Sequence, residues 1–282
     1  MSKGVLLIAN NNSDIDYILQ ACYSAKRIKK HLKLPVSLVT DTPELFKTTY
    51  KKYRRRFDKV ILCNSSNSLS SRSYKDGVMF SKVLEFKNAS RALSYDLTPY
   101  DETLVLDTDV IIFNDVFLKC FDQLADIMMY RNSVDVSPFR STAEFERISD
   151  VGVDFFWATC VYFRKSEKAR IFFNLTKHIT ENWNHYRLIY NISSPLYRND
   201  FVFSIAAHTL NGFNSGIFVK EMPGVLIYST DRDEIVKIDD TQVVILVQKA
   251  SDSEIGVLAK IKDTNVHIMN KYNLDRIIKN DS

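Results

Sequence analysis

Residues 100–115 read YDETLVLDTDVIIFND. An apolar-leaning run at 103–106 leads into Asp107-Thr108-Asp109, and a second apolar run follows at 110–113. This is the pattern of a buried strand interrupted by two carboxylates. Such a placement is costly unless a cation or strong hydrogen-bond donors meet the charges. Residues i and i+2 of a strand share a face, so Asp107 and Asp109 project to the same side. A kink at the strand end would let both reach one divalent ion. Hard oxygen ligands suit Mg²⁺ or Mn²⁺, which keep water and take further ligands from substrate phosphates. The alternative is a strand-end turn in which both Asp side chains bond backbone amides.

The flanking sequence alternates short apolar runs with longer amphipathic ones. Strands are expected at residues 5–9, 35–40, 59–63 and 157–163, and short ones at 216–219 and 225–228. Helical spacing of apolar residues marks 16–32, 79–95, 166–186, 199–210 and 270–279. Thr42 and Pro43 form a helix-start signal, and the Ser/Asn-rich stretch 64–73 is expected to be a loop. Residues 243–247 and 257–261 are apolar and fit strands, or a strand and a loop. Strand–helix alternation of this kind indicates βα units around a parallel sheet. No repeat and no Pro- or Ser-rich linker divides the chain, so a single α/β domain over 1–282 is expected. Its first half, 1–115, ends in the paired carboxylates, and 116–282 forms the second half.

Composition narrows the chemistry. The 282 residues are 45 % hydrophobic and 26 % charged with a net charge of +4, as in a globular protein with its own core. Only 7 are glycine, and no two stand in a G-x-G pattern. A dinucleotide fingerprint and a phosphate-binding glycine loop are therefore both absent. Any bound phosphate must be met by a metal or by side chains. No apolar run approaches the ~20 residues that span a bilayer, and MSKGVLLIANNNSD lacks a signal-peptide cleavage site. Cys22, Cys63, Cys120 and Cys160 are far apart in sequence and flanked by apolar residues, which suits buried free thiols in a reducing compartment. A cytoplasmic protein is expected.

The segment LVLDTDVIIFND resembles the D-x-D segment of GT-A-type nucleotide-sugar glycosyltransferases. The nearest pattern is the retaining glycogenin-like and bacterial galactosyltransferase family, glycosyltransferase family 8. The resemblance implies a GT-A-like domain with a mostly parallel central sheet flanked by helices. It implies a nucleotide-sugar donor, most simply a UDP-sugar, an acceptor with a free hydroxyl, and Mn²⁺ or Mg²⁺. In that family a late His is the third metal ligand and a following Lys touches the diphosphate. Within NVHIMNK, His267 and Lys271 match those roles by type and order. By the same resemblance Asn10 and Asp41, ending the first two strands, are candidates for the nucleoside. Thr108 is a candidate within the D-x-D segment, and Lys82 stands where the family has a basic residue on the helix before it. Asp200 stands in place of the family's Asp-Gln pair and is a candidate for donor-sugar hydroxyls and the developing positive charge. Where the family opens a strand with Asn-Ala-Gly, this sequence has Trp157-Ala158-Thr159. For Asn10, Asp41 and Asp200 a turn or cap role is the alternative, for Lys82 a solvated lysine, and for His267 a surface histidine at a helix start.

Residues 47–56, KTTYKKYRRR, hold six basic residues and two tyrosines. As a helix this stretch would carry charge around most of its circumference. It is either a solvated surface or a grip on a phosphate backbone that weakens with salt. Similar small glycosyltransferases occur in tailed phages, and DNA carrying a hydroxymethylated or glycosylated base is one acceptor that likeness suggests. Two other functions stay open. A sugar nucleotidyltransferase would need the glycine-rich loop that GVLLIANNNSD lacks. A nucleic-acid-binding protein without catalysis would leave the Asp pair and the late His unexplained.

Overall fold

The apolar runs of the N-terminal half pair side by side in the computed structural model, which describes residues 1–63, 70–149, 152–213, 218–249 and 255–280. Seven strands form the central sheet: β1 (Lys3–Ile8), β2 (Val36–Thr40), β3 (Lys59–Leu62), β4 (Glu102–Leu106), β5 (Ile127–Tyr130), β6 (Trp157–Arg164) and β7 (Lys220–Glu221). Their spatial order is β7-β5-β6-β4-β1-β2-β3. Only β6 runs antiparallel to its neighbours, and the other pairings are parallel. The fold is thus α/β with a mostly parallel central sheet, as expected. β1, β2 and β4 are buried along nearly their whole length. Strands covered on both faces read as continuous apolar runs, which is why they stand out in the sequence.

There are four longer helices, α1 (Tyr17–His31), α2 (Glu167–Glu181), α3 (Asn199–Leu210) and α4 (Lys271–Asn280); α1 and α3 pack on the central sheet, α2 packs on α3, and α4 packs on α1. Asp16 caps α1 by accepting from the Leu19 amide at 2.9 Å, and Ser166 caps α2 through the Ala169 amide at 3.2 Å. A four-stranded second sheet has the order Val110–Ile111, Val266–Ile268, Leu226–Ser229, Ser133–Asp135. An antiparallel sheet of Glu234–Ile238, Gln242–Gln248 and Gly256–Lys262 makes the third layer element. All four cysteines are buried and free.

Several expectations need correcting. Residues 79–95 do not form one helix. Ser70–Asp76 and Phe80–Phe86 make an antiparallel hairpin, followed by a 3₁₀ turn at Asn88–Leu93 and a short helix at Ser94–Leu97. Leu84 and Phe86 are buried while Val83 and Glu85 are exposed, so a period of two overrides the helical spacing. Gly77, at φ +67°, turns the hairpin in a conformation that side-chain-bearing residues resist. Residues 64–69 of the expected loop lie outside the described residues, and 70–73 are strand. The Thr42–Pro43 start signal opens a 3₁₀ helix, Pro43–Lys47, without a cap bond from Thr42. The expected helix 166–186 breaks at Asn182, after which Trp183–Ile189 is a separate helix. Of the strand expected at 216–219, residues 216 and 217 lie outside the described residues, and the strand found is β7.

Candidate active site

Asp107-Thr108-Asp109 is the turn by which the chain leaves the central sheet and enters the second one. β4 ends at Leu106, and Val110–Ile111 already pairs with Val266–Ile268. The Asp107 amide donates to the Thr159 carbonyl at 2.9 Å, and the Val110 amide donates to the Asp107 carbonyl at 3.2 Å. These two amides are thus used by main-chain carbonyls. The register of the second sheet sets His267 opposite Val110, and the Ile268 amide donates to the Asp109 carbonyl at 3.0 Å. A histidine 158 positions away in the sequence is thereby held beside the pair. Lys271 follows at the start of α4, where Asn270 accepts from the Asn273 amide at 2.9 Å.

The side chains converge. Nζ of Lys271 lies 2.6 Å from Oδ2 of Asp109, and Nε2 of His267 lies 3.4 Å from the same oxygen. Burial alone would raise the Asp109 carboxyl, but Lys271 and His267 outweigh it and hold it well below the usual carboxylate range. Burial would likewise strip Lys271 of its proton, and Asp109 reverses that, so the ammonium is favoured. At Asp107 burial prevails over the pull of Arg91, and the neighbouring Asp109 adds to the upward push. Each carboxylate thus has one cation against it, Arg91 at Asp107 and Lys271 at Asp109.

The donor set fits a divalent ion. Asp107, Asp109 and His267 each offer a ligand atom within 4.8 Å of the others. Nδ1 of His267 is buried and has no hydrogen-bond partner among the described residues, so the ring is held by packing and by its place in the strand. Two carboxylate oxygens and one imidazole nitrogen suit Mn²⁺, and Mg²⁺ where oxygen ligands from substrate and water complete the shell.

These residues line a cavity of about 300 Å³, together with Thr108, Arg91, Arg72, Arg198 and Asp200. Asp200, in the first turn of α3, does not cap it. Its Oδ1 accepts from the Ala158 amide at 2.9 Å and its Oδ2 from Nη2 of Arg198 at 3.0 Å, tying α3 to the end of β6. Burial pushes this carboxyl up, and Arg198 with the Ala158 amide more than offsets that, leaving it below its ordinary value. Thr108 gives its carbonyl to Oγ of Ser24 at 2.6 Å, which anchors the turn to α1.

Three other candidates sit elsewhere. Asn10 is buried, with its Oδ1 accepting from the Asp41 amide at 2.9 Å and its Nδ2 donating to the Lys87 carbonyl at 3.1 Å. Asp41 is half-buried and accepts from the Thr42 hydroxyl at 3.3 Å. Lys82 lies on the hairpin rather than on a helix and is paired with Asp14 at 2.6 Å. None of the three is among the residues lining the cavity.

Sequence reasoning missed the arginines. Arg91 is 2 % exposed and spans from the Ala158 carbonyl to Oδ1 of Asp107, so it fixes the D-x-D turn against β6. Arg72 stacks 3.6 Å from the Phe86 ring centroid and donates to the Tyr197 carbonyl at 2.7 Å. The available signal for Arg91 was its setting among small residues, Ser90 and Ala92, in a stretch otherwise apolar inward. The expected helix turned it outward and hid it.

No protein-family model matches the sequence, and no curated protein matches it. Among solved structures, the chain is similar to glycosyltransferase GlyE of Streptococcus pneumoniae TIGR4, at 14 % identity and a TM-score of 0.42. That match covers 78 % of this chain and 45 % of GlyE, so the chain spans under half of that structure's length. A galactosyltransferase LgtC, solved with donor and acceptor sugar analogues, matches at 14 % identity and TM-score 0.49, covering 77 % of this chain and 72 % of LgtC. Mouse xyloside xylosyltransferase 1 matches at 14 % identity and TM-score 0.43, covering 73 % of this chain and 81 % of its own. Among the described residues, no helix is long and apolar enough to cross a membrane.

Proposed function

We propose that the protein is a metal-dependent glycosyltransferase, moving a sugar from a nucleoside diphosphate donor to a hydroxyl acceptor. The observation that carries this reading is the convergence of Asp107, Asp109, His267 and Lys271 on a cavity that also holds Arg91, Arg198 and Asp200. Asp107, Asp109 and His267 would hold the ion, which when bound supplies Lewis acidity toward a diphosphate leaving group. Lys271 sits against Asp109 and is poised to turn its ammonium to a phosphate oxygen as negative charge builds there. Asp200, kept ionised by Arg198, offers a fixed carboxylate to sugar hydroxyls and to positive charge developing at the anomeric carbon. Arg91 is a positioning residue that holds Asp107. The D-x-D segment and the late His-Lys pair support a UDP-sugar donor and likeness to glycosyltransferase family 8.

The test is a panel of nucleotide sugars with Mn²⁺ or Mg²⁺, with and without EDTA, reading released nucleoside diphosphate. Simple sugars and hydroxymethylcytosine-containing DNA serve as acceptors. Metal-dependent release of the diphosphate from at least one donor is expected. Release of pyrophosphate from a sugar phosphate and a nucleoside triphosphate would point instead to nucleotidyl transfer. No release with any donor and either metal would overturn the proposal.

A further inference from the structure

Residues 26–59 carry twelve Lys and Arg against three Asp and Glu, a net charge of +9 in a chain whose total is +4. The remaining 248 residues are therefore net negative, at −5. The densest part, residues 45–57, contains six basic residues and no acidic one. Its core is a 3₁₀ helix, Lys51–Arg56, rather than the α-helix the sequence suggests. In a 3₁₀ helix residues i and i+3 stack in rows about 6 Å apart. Tyr50, Tyr53 and Arg56 make the inward row. The two tyrosines are buried, and Arg56 lies over the Tyr53 ring and donates to the Cys22 carbonyl of α1 at 2.9 Å. Lys51 with Arg54, and Lys52 with Arg55, make two exposed rows. Thr48, Thr49, Lys51, Lys52 and Arg55 line one shallow groove. None of them borders the cavity that holds Asp107 and Asp109.

We propose that this face binds the phosphate backbone of duplex nucleic acid. Rows of cations with two threonine hydroxyls in the same groove match a repeating line of phosphates. What the face lacks selects among polyanions. Phe46, Tyr50, Tyr53 and Phe57 are all buried, so no aromatic ring is offered for the base stacking by which single strands are held. No large apolar side chain is exposed between residues 45 and 57, so nothing there inserts into a bilayer as interfacial segments do. Paired bases with phosphates outermost are the polyanion that demands neither. The inference deepens the acceptor side of the proposed function, but its test needs neither donor nor metal, so the two fail independently.

The experiment is fluorescence anisotropy of a labelled 20-base-pair duplex, its single strand, and phosphatidylserine/phosphatidylcholine vesicles, each titrated with the full chain. Duplex binding is expected to be tighter than single-strand binding and to weaken from 50 to 200 mM salt, with a log–log slope near −0.9 per phosphate contacted. The variant Lys51→Glu/Lys52→Glu/Arg55→Glu should raise the duplex Kd at least tenfold and flatten that slope, with its circular dichroism unchanged. If the triple variant fails to fold, Arg55→Glu alone should raise Kd about threefold. Absence of duplex binding at 50 mM salt, affinity untouched by charge reversal, or tighter binding to the vesicles would each overturn the proposal.

Discussion

Asp109 is the residue on which the site turns, because one of its oxygens faces both Lys271 and His267. Asp109→Asn keeps the shape and removes the charge. Turnover of a nucleotide-sugar donor at saturating Mn²⁺ should fall by about 10²–10³, the cost of losing one preorganised electrostatic contact at a developing charge. Mn²⁺ affinity, read by calorimetry, should fall with it, and a variant with wild-type turnover would remove Asp109 from the ion's shell. Asp200 offers a prediction in pH. Its folded-state carboxyl titrates below its ordinary value because Arg198 and the Ala158 amide outweigh burial. A carboxylate depressed in this way stabilises the fold above its unfolded-state value, near 4, and loses that contribution as pH falls through the depressed value. The stability gap between wild type and Asp200→Asn, from urea unfolding, should therefore be constant above about pH 5 and narrow below pH 4. A gap that widened on acidification would mean the carboxyl is raised instead.

The hairpin Ser70–Asp76/Phe80–Phe86 matters at the scale of elements, since it brings Arg72, Tyr74 and Phe86 to the cavity. It is pinned to α4 through Asp76, which takes both Arg276 and Asn270, and to the Asp231 carbonyl through the Gly77 amide. Gly77→Ala forces a Cβ into a left-handed residue, at about 1–2 kcal/mol, and pushes against the flexible end of Glu234. The expected outcome is faster amide exchange across residues 70–86 than in the central sheet, with a lowered urea midpoint. Exchange unchanged in the hairpin would mean the turn tolerates the added group. The same hairpin shows why part of the fold was illegible. β1, β2 and β4 are short, almost entirely buried runs that announce themselves, and the caps Asp16 and Ser166 are local signals. The stretch 79–95 has apolar residues that fit a period of 3.6 at 83, 86, 89, 92 and 93, and only a strand partner at 70–76 selects the period of two. That partner is a tertiary fact. Arg91 was lost with it, whereas Asp107, Asp109, His267 and Lys271 survived because chemistry in the sequence, not periodicity, picked them out.

Across the whole molecule, two sheets meet at the D-x-D turn and bring Asp107 and Asp109 beside His267, 158 positions after Asp109, so binding there would report on the fold as a unit. Lys271 now balances Asp109, and an ion entering alone must compete with that ammonium. A nucleoside diphosphate entering alone must compete with Asp107, Asp109 and Asp200 for the Arg91, Lys271 and Arg198 cations that already pair with them. Together the two ligands relieve both conflicts, because the diphosphate gives Lys271 a new partner and the ion gives the carboxylates theirs. Binding should therefore be cooperative. A ligand held at 100 times its Kd adds about 2.7 kcal/mol to stability, which is roughly 5–10 °C in melting temperature for a chain near this size. Mn²⁺ or UDP alone should shift melting by about 1 °C or less, and the two together by several degrees, well beyond the sum. In Asp109→Asn the combined shift should collapse to the sum of the separate ones. A simply additive response in the wild type would mean that ion and diphosphate do not share this site.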